Sequence, residues 1–136
     1  MNEDVLWRTI GLIGVSEDEY AFTLGVAESI SAGAMLLMMC DVGDPGPQEV
    51  GLGLDTYCLV REDQAGTFYG GVEQVDLQRD SLAMRFRPNA ARELKVVEHA
   101  RWTLAVSDSD YELLVHGLRR VFRFGREDQH PVLRGI

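Results

Sequence analysis

Two short runs in the middle of the chain decide its fold class: Gly53-Leu54-Asp55-Thr56-Tyr57-Cys58-Leu59-Val60 and, after a polar loop, Phe68-Tyr69-Gly70-Gly71-Val72. Successive side chains of a β-strand point to opposite faces, so the first run places Asp55 and Tyr57 side by side on one face of a strand. After the second run the apolar period shifts by an odd number of residues. This shift predicts a β-bulge around Gly70-Gly71, because glycine permits the φ values that a bulge needs. Such a glycine joint is more often architectural than ligand-binding.

The first fifty residues continue the two-residue period of a sheet. Apolar runs at 5–14 and 20–27 flank a polar turn and predict a first hairpin. Residues 34–42 are apolar on both faces, which predicts a central strand, although their unbranched Met and Leu side chains leave a helix as the alternative. The segment 43–51 is rich in Gly and Pro and predicts an exposed loop.

Two helices are expected in the second half of the chain. The first, at 88–94, begins with a proline, whose missing N–H costs little at a helix start. The second follows Ser109-Asp110-Tyr111-Glu112, which matches a capping box, and carries an apolar stripe at helical spacing. Arginines crowd its last turns, where cations complement the helix dipole. Strands are expected at 82–86, after a hairpin turn, and at 99–106.

Together these patterns predict an α+β fold with one domain. We expect a mainly antiparallel β-sheet of about six to seven strands, with the short helix and the C-terminal amphipathic helix packed on one face. Residues 1–136 form the domain in this interpretation, and 126–136 form a flexible tail. No long uncharged apolar run is present and the first residues are acidic, which is typical of a cytoplasmic protein.

The net charge of −9 arises in the first half of the chain. Residues 1–64 contain twelve acidic residues and two arginines, whereas residues 65–136 contain ten acidic and eleven basic residues. Such a charge distribution repels nucleic acid and anionic membranes and speeds the approach of a basic partner. The alternative is that these charges only keep the surface soluble.

Few residues suggest catalysis. The histidines lie far apart in the sequence and no Cys or His has ligand spacing, so we expect no metal site and no cofactor. The chain also lacks a phosphate-binding glycine motif. Cys40 and Cys58 lie in apolar runs and are expected to be buried and reduced. We therefore expect no enzymatic activity, although a strongly perturbed carboxylate in a deep cleft would favour an enzyme.

Three blocks of the sequence resemble the immunity protein 10 family of bacterial polymorphic toxin systems. They are Leu54-Asp55-Thr56-Tyr57-Cys58-Leu59-Val60, Thr67-Phe68-Tyr69-Gly70-Gly71-Val72 and Leu82-Ala83-Met84-Arg85-Phe86, the last followed by Pro88 and Ala90-Ala91. The signature residues of the resemblance are Asp55, Thr56, Tyr57, Cys58, Tyr69, Gly70 and Gly71. The resemblance implies a cytoplasmic antidote that binds and blocks the toxin domain encoded next to it, without catalysis. It supplies no set of toxin-contacting residues.

An acidic antidote could occupy a basic cleft of a toxin as a substrate mimic. The candidate toxin interface therefore combines acidic loop residues with an aromatic anchor: Glu17, Asp18, Glu19, Asp44, Glu49, Tyr57, Glu62 and Asp63, with Tyr69 as a second candidate anchor. One alternative is a small-molecule-binding or regulatory module that uses the sheet face near Gly70-Gly71. An exposed edge strand could also pair two copies into a homodimer.

Overall fold

The computed structural model of the protein describes residues 8–29, 35–43, 46–62 and 66–136, and within them the strands form two five-stranded sheets. The N-terminal sheet contains, in spatial order, β2 (Leu12–Glu17), β3 (Ala21–Ala27), β4 (Leu36–Asp41), β5 (Cys58–Arg61) and β6 (Gly66–Tyr69). The C-terminal sheet contains β1 (Thr9–Ile10), β9 (His99–Leu104), β8 (Ser81–Phe86), β7 (Val72–Gln78) and β10 (Val132–Arg134). Neighbouring strands are antiparallel except in the pairs β1–β9 and β7–β10, which are parallel. The α+β class and the mainly antiparallel pairing are confirmed.

The helical segments are α1 (Pro47–Gly51), α2 (Pro88–Leu94), α3 (Asp108–Phe122) and a 3₁₀ turn at Glu127–Gln129. The sequence predicted Ser109 as the N-terminal cap of α3, but the cap is Ser107, two residues earlier. The Ser107 hydroxyl accepts the Asp110 N–H at 3.2 Å. α3 is the longest helix in these ranges, with 15 residues, and none of the helices combines the length and apolar character needed to cross a bilayer.

One hydrophobic core joins the two sheets and the helices. α3 packs on β2, β3 and β4, and α2 packs on β6. In β8 the side chains alternate as predicted, with Leu82, Met84 and Phe86 buried and Arg85 exposed. The apolar stripe of α3 is also buried, including Leu118. The buried and exposed faces of these elements therefore follow from the hydrophobic period alone.

The first hairpin and the central strand are confirmed, with a change at the first run: Thr9–Ile10 belong to the other sheet, β2 runs from Leu12 to Glu17, and residues 5–7 lie outside the described residues. β2 and β3 pair antiparallel, and β4 lies in the middle of its sheet between β3 and β5. Residues 36–41 are thus a strand and not a helix; Ala34 lies outside the described residues. A strand with partners on both sides satisfies its backbone N–H and C=O groups through its neighbours, and this outweighs the helix propensity of Met and Leu.

The strands divide between two sheets, where the sequence predicted one. Gly70 and Gly71 have φ angles of +75° and +93° and carry the chain from β6 in one sheet to β7 in the other. The bulge expected at these glycines lies instead between Val72 and Gln74, opposite β8. The change of sheet explains why the apolar period shifts at this point, since strands of different sheets need not share one alternation.

Two segments that were expected to lack regular structure are folded. Pro47 supplies the φ angle of a first helical turn, and the Val50 N–H bonds the Gly46 carbonyl at 3.1 Å, so 47–51 form α1 and not a loop. The expected flexible tail, 126–136, contains the 3₁₀ turn and β10, which pairs with β7. Pairing with the edge of β7 explains β10, because a strand of three residues satisfies its backbone N–H and C=O groups through a neighbouring strand.

Candidate partner-binding surface

Tyr57 is a buried structural residue. Its side chain is 0% exposed, and its ring meets the Phe122 ring edge-on, with centroids 4.8 Å apart and an interplanar angle of 81°. The hydroxyl accepts the Val72 N–H at 3.0 Å and donates to the Gln129 carbonyl oxygen at 3.0 Å. Burial raises the pKa of Tyr57 to about 12. A side chain in this position cannot reach a partner without unfolding, so the structure removes Tyr57 from the candidate interface.

Asp55 also contacts the C-terminal segment of the chain. Its buried carboxylate lies 3.2 Å from Nε of Arg126, and its backbone carbonyl accepts the Arg126 N–H at 3.1 Å. Beside it, Thr56 forms an isolated bridge with Gly125. Asp55 and Tyr57 therefore hold the segment that follows α3 against the start of β5.

The glycine joint leaves no room for a ligand. A Cβ atom on Gly70 would collide with the side chain of Gln129. On Gly71 it would lie 2.6 Å from Cβ of Ala90 and 2.8 Å from the ring of Phe68. The space above both glycines is thus filled by protein side chains, and the structure does not support a binding module at this part of the sheet.

The acidic β2–β3 turn presents an exposed aromatic residue that sequence reasoning did not select. Asp18 accepts the backbone N–H groups of Tyr20 and Ala21 at 2.7 and 2.8 Å, and these two hydrogen bonds lower the pKa of Asp18. The side chain of Tyr20 is 74% exposed at the tip. Glu19 is exposed beside it. An aromatic residue directly after an acidic turn is the signal that could have identified Tyr20.

Glu17 is held by an arginine of α3. The guanidinium of Arg120 makes two hydrogen bonds to the Glu17 carboxylate, at 2.9 and 2.8 Å, and lies 4.3 Å from the centroid of the Phe22 ring. The hydrogen bond from Arg120 is the main reason that the pKa of Glu17 is lowered. Arg120 is one of the arginines in the last turns of α3, and its contact with Glu17 links the hairpin to the helix.

A pocket of about 230 Å³ opens on the solvent-facing side of the N-terminal sheet. It is next to the β2–β3 turn, because Ala21, the first residue of β3, lines it. Three of its residues lie side by side on β4, β5 and β6, because Met39 is opposite Cys58 and Cys58 is opposite Tyr69. Tyr69 is 42% exposed. The lining residues are Ala21, Met39, Cys40, Asp41, Leu54, Thr56, Cys58 and Tyr69.

Thr56 is unusual among the lining residues. Its side chain is buried, with an exposed fraction of 4%, and nothing in the described ranges hydrogen-bonds its hydroxyl oxygen. A buried hydroxyl without a hydrogen-bond partner lowers the stability of a protein, so Thr56 is a position where stability can be tested by substitution. We call the region formed by residues 17–21 and 39–42 with Leu54, Thr56, Cys58 and Tyr69 the tip surface.

The structure brings together only some of the acidic interface candidates. Glu17, Asp18 and Glu19 lie beside the end of β4, since Ala21 pairs with Asp41 and the Val42 N–H bonds the Tyr20 carbonyl at 3.0 Å. Glu62 lies at the other end of the sheet, where its N–H bonds the Met35 carbonyl at 3.2 Å. The five residue steps of β4 separate these ends by about 17 Å. Asp44, Asp63 and the side chain of Glu49 fall outside the described structure.

The two cysteines do not form a reactive centre. Both thiols are free, and burial raises the pKa of Cys40 to about 11 and also raises the pKa of Cys58. A thiol with a raised pKa is protonated near neutral pH and is therefore a poor nucleophile. Across the described ranges, no three His, Cys, Asp or Glu side chains come together as a metal site would require.

Comparisons with known proteins agree with the signature in the sequence. A sequence model of the family described as immunity protein 10 matches residues 9–112. The matched range runs from β1 into the first turns of α3 and includes the whole tip surface. Searches of the curated proteins and of the solved structures returned no significant match. Because the family match covers most of its length, the chain belongs to the immunity protein 10 family.

Proposed function

We propose that the chain is an immunity protein that binds and neutralises a cognate bacterial toxin domain by direct protein–protein contact, with no catalysis of its own. The observation that carries this proposal is the family match over residues 9–112. In this proposal the toxin domain is encoded by a neighbouring gene of a polymorphic toxin system, and the two proteins meet in the cytoplasm.

The tip surface has the composition of a protein-binding site for a basic partner. Aromatic side chains that are exposed in the free protein, here Tyr20 and Tyr69, are frequent anchors of interfaces. Asp18 and Glu19 precede Tyr20 in the turn, and Asp41 lies at the end of β4 opposite Ala21. Acidic residues at the rim of an interface speed the approach of a cationic partner and repel polyanions such as nucleic acid.

The test is calorimetric titration of this protein with the C-terminal domain of the protein encoded by the gene immediately upstream, at low and at physiological salt. We expect nanomolar affinity that weakens as salt increases, because salt screens exposed charges over about 8–10 Å. Toxicity of the same domain in cells should disappear when this protein is co-expressed. Absence of both binding and protection would show that the domain is not the target.

The oligomeric state forms a separate part of the proposal. The described sheets end in the edge strands β1, β10, β2 and β6, and an edge strand can pair with a second copy. Light scattering of the free protein and of the complex would distinguish a homodimer from a monomer that binds one toxin domain.

A further inference from the structure

The pocket of the tip surface suits a protein side chain better than a free small molecule. Its volume of about 230 Å³ is smaller than the roughly 300–1,000 Å³ of typical small-molecule sites. It lies within the tip surface, bordered by the exposed ring of Tyr69 and close to the acidic turn that carries Tyr20. A partner that covers these aromatic residues would also cover the pocket and could place one side chain in it.

The wall of the pocket combines apolar and polar groups. Met39, Cys58 and Leu54 supply apolar surface, which fits the methylene stem of a long side chain. Asp41 supplies a carboxylate at the end of β4, and Tyr69, opposite Cys58 on the neighbouring strand, supplies a hydroxyl. Thr56 also lines the pocket, with its hydroxyl oxygen buried. An aliphatic stem that ends in a cation matches this arrangement better than a wholly apolar side chain does.

The charge around the pocket favours the same occupant. Asp18, Glu19 and Asp41 are exposed acidic residues at this end of the sheet. The nearby guanidinium of Arg120 already forms its paired hydrogen bonds with Glu17. The three acidic residues at this end of the sheet favour a cation over a carboxylate as the occupant of the pocket.

We propose that the pocket receives a lysine or arginine side chain of the toxin domain, with its stem against Met39 and Cys58 and its charged group at Asp41. The inference rests on the proposed function, and it names one anchor point of the complex. The hydroxyl oxygen of Tyr69, which also lines the pocket, provides a further acceptor for the charged group.

Two substitutions test the pocket through different properties. Asp41→Asn removes the charge and keeps the shape, and Ala21→Leu fills the pocket with apolar volume and keeps the charge. We expect each to weaken binding of the toxin domain by at least about tenfold, because a central anchor would be lost. The matched controls are Glu62→Gln, at the far end of the same sheet, and Ala83→Leu, on the outer face of the other sheet, and neither should change the affinity by more than about twofold. Urea unfolding of all four variants checks that they fold.

A double-mutant cycle then identifies the inserted side chain. Each exposed lysine and arginine of the toxin domain is replaced by alanine, and the effect of Asp41→Asn is measured against each variant. We expect one toxin variant to abolish most of that effect. If the toxin domain binds the unsubstituted protein but Asp41→Asn and Ala21→Leu bind equally well, the pocket is not an anchor while the proposed function stands. If the unsubstituted protein binds no toxin domain, both the proposed function and this inference fail.

Discussion

The hydroxyl of Tyr57 lies 3.0 Å from the backbone carbonyl oxygen of Gln129, a residue 72 positions further along the chain. The same hydroxyl accepts the N–H of Val72, the first residue of β7. One side chain thus joins the start of β5, the crossover between the sheets and the segment after α3. The family signature at this point of the chain holds distant segments together, and the tip surface, which we propose as the partner surface, lies on the other face of the same strands.

Removing this hydroxyl should cost stability. In Tyr57→Phe the Val72 N–H and the Gln129 carbonyl lose a buried partner, and we expect the free energy of unfolding to fall by roughly 1–3 kcal/mol. Urea denaturation of both proteins measures the difference. Tyr20→Phe is the control, because its hydroxyl belongs to a side chain that is 74% exposed, and this variant should unfold like the unsubstituted protein.

Alkaline pH should destabilise the fold through the same residue. A tyrosine in the unfolded chain loses its proton near pH 10, whereas burial raises the pKa of native Tyr57 to about 12. The native state holds the proton more tightly, so the stability from this group is complete below pH 10 and is lost as the pH rises towards 12. The loss should be roughly 2–3 kcal/mol. Comparing unfolding at pH 9 and pH 11.5 checks it, and an unchanged pH dependence in Tyr57→Phe would contradict the assignment.

The glycine joint should not tolerate a side chain. Gly71 has a φ angle of +93°, and an added Cβ would lie 2.6 Å from Cβ of Ala90. We expect Gly71→Ala to lower the free energy of unfolding by roughly 2–5 kcal/mol, through backbone strain and overpacking together. The matched control is Gly14→Ala on β2, where a Cβ would meet no atom within 4 Å. That variant should unfold at an equal or higher denaturant concentration.

Replacing Thr56 should change the stability of the protein and its affinity for the toxin domain in opposite directions. Thr56→Val keeps the shape and removes the buried hydroxyl that lacks a partner in the described structure, so we expect stability to rise by roughly 1 kcal/mol. Affinity for the toxin domain should fall if the hydroxyl contacts the partner. Thr67→Val, an exposed position on β6, should change neither quantity. Loss of stability in Thr56→Val would mean that the hydroxyl is already satisfied in the free protein.

The exposed tip should contribute directly to toxin binding. Tyr20→Ala removes the most exposed aromatic side chain of the tip surface, and we expect binding to weaken by about 2 kcal/mol or more if Tyr20 is an anchor. Reversal of Asp18 and Glu19 to lysine should slow association and reduce its dependence on salt. Reversal of Glu62, at the far end of the sheet, is the control and should leave the association rate unchanged. Equal association rates for all variants would move the interface away from the tip surface.

Local patterns in the sequence were sufficient for most of the longer elements of the fold, but not for the short elements α1 and β10. The alternation in β8 identified Leu82, Met84 and Phe86 as core residues, and the helical stripe of α3 identified its buried face, because burial follows the period of each element. The hairpin of β2 and β3 was predictable for the same reason, since its turn lies between two apolar runs. The signature in the sequence also identified the family.

The arrangement of those elements depended on contacts between distant residues. No local pattern shows that β1 and β10 add to the edges of the second sheet, that Tyr57 is buried under Gln129, or that Glu62 lies at the opposite end of the sheet from Glu17. The pocket lined by Ala21, Met39, Leu54 and Tyr69 exists only after four separate segments have packed together. The sequence by itself determined which side chains must leave water, since that depends on local periodicity. Tertiary structure decided which of them meet, because packing joins residues that are remote in the chain.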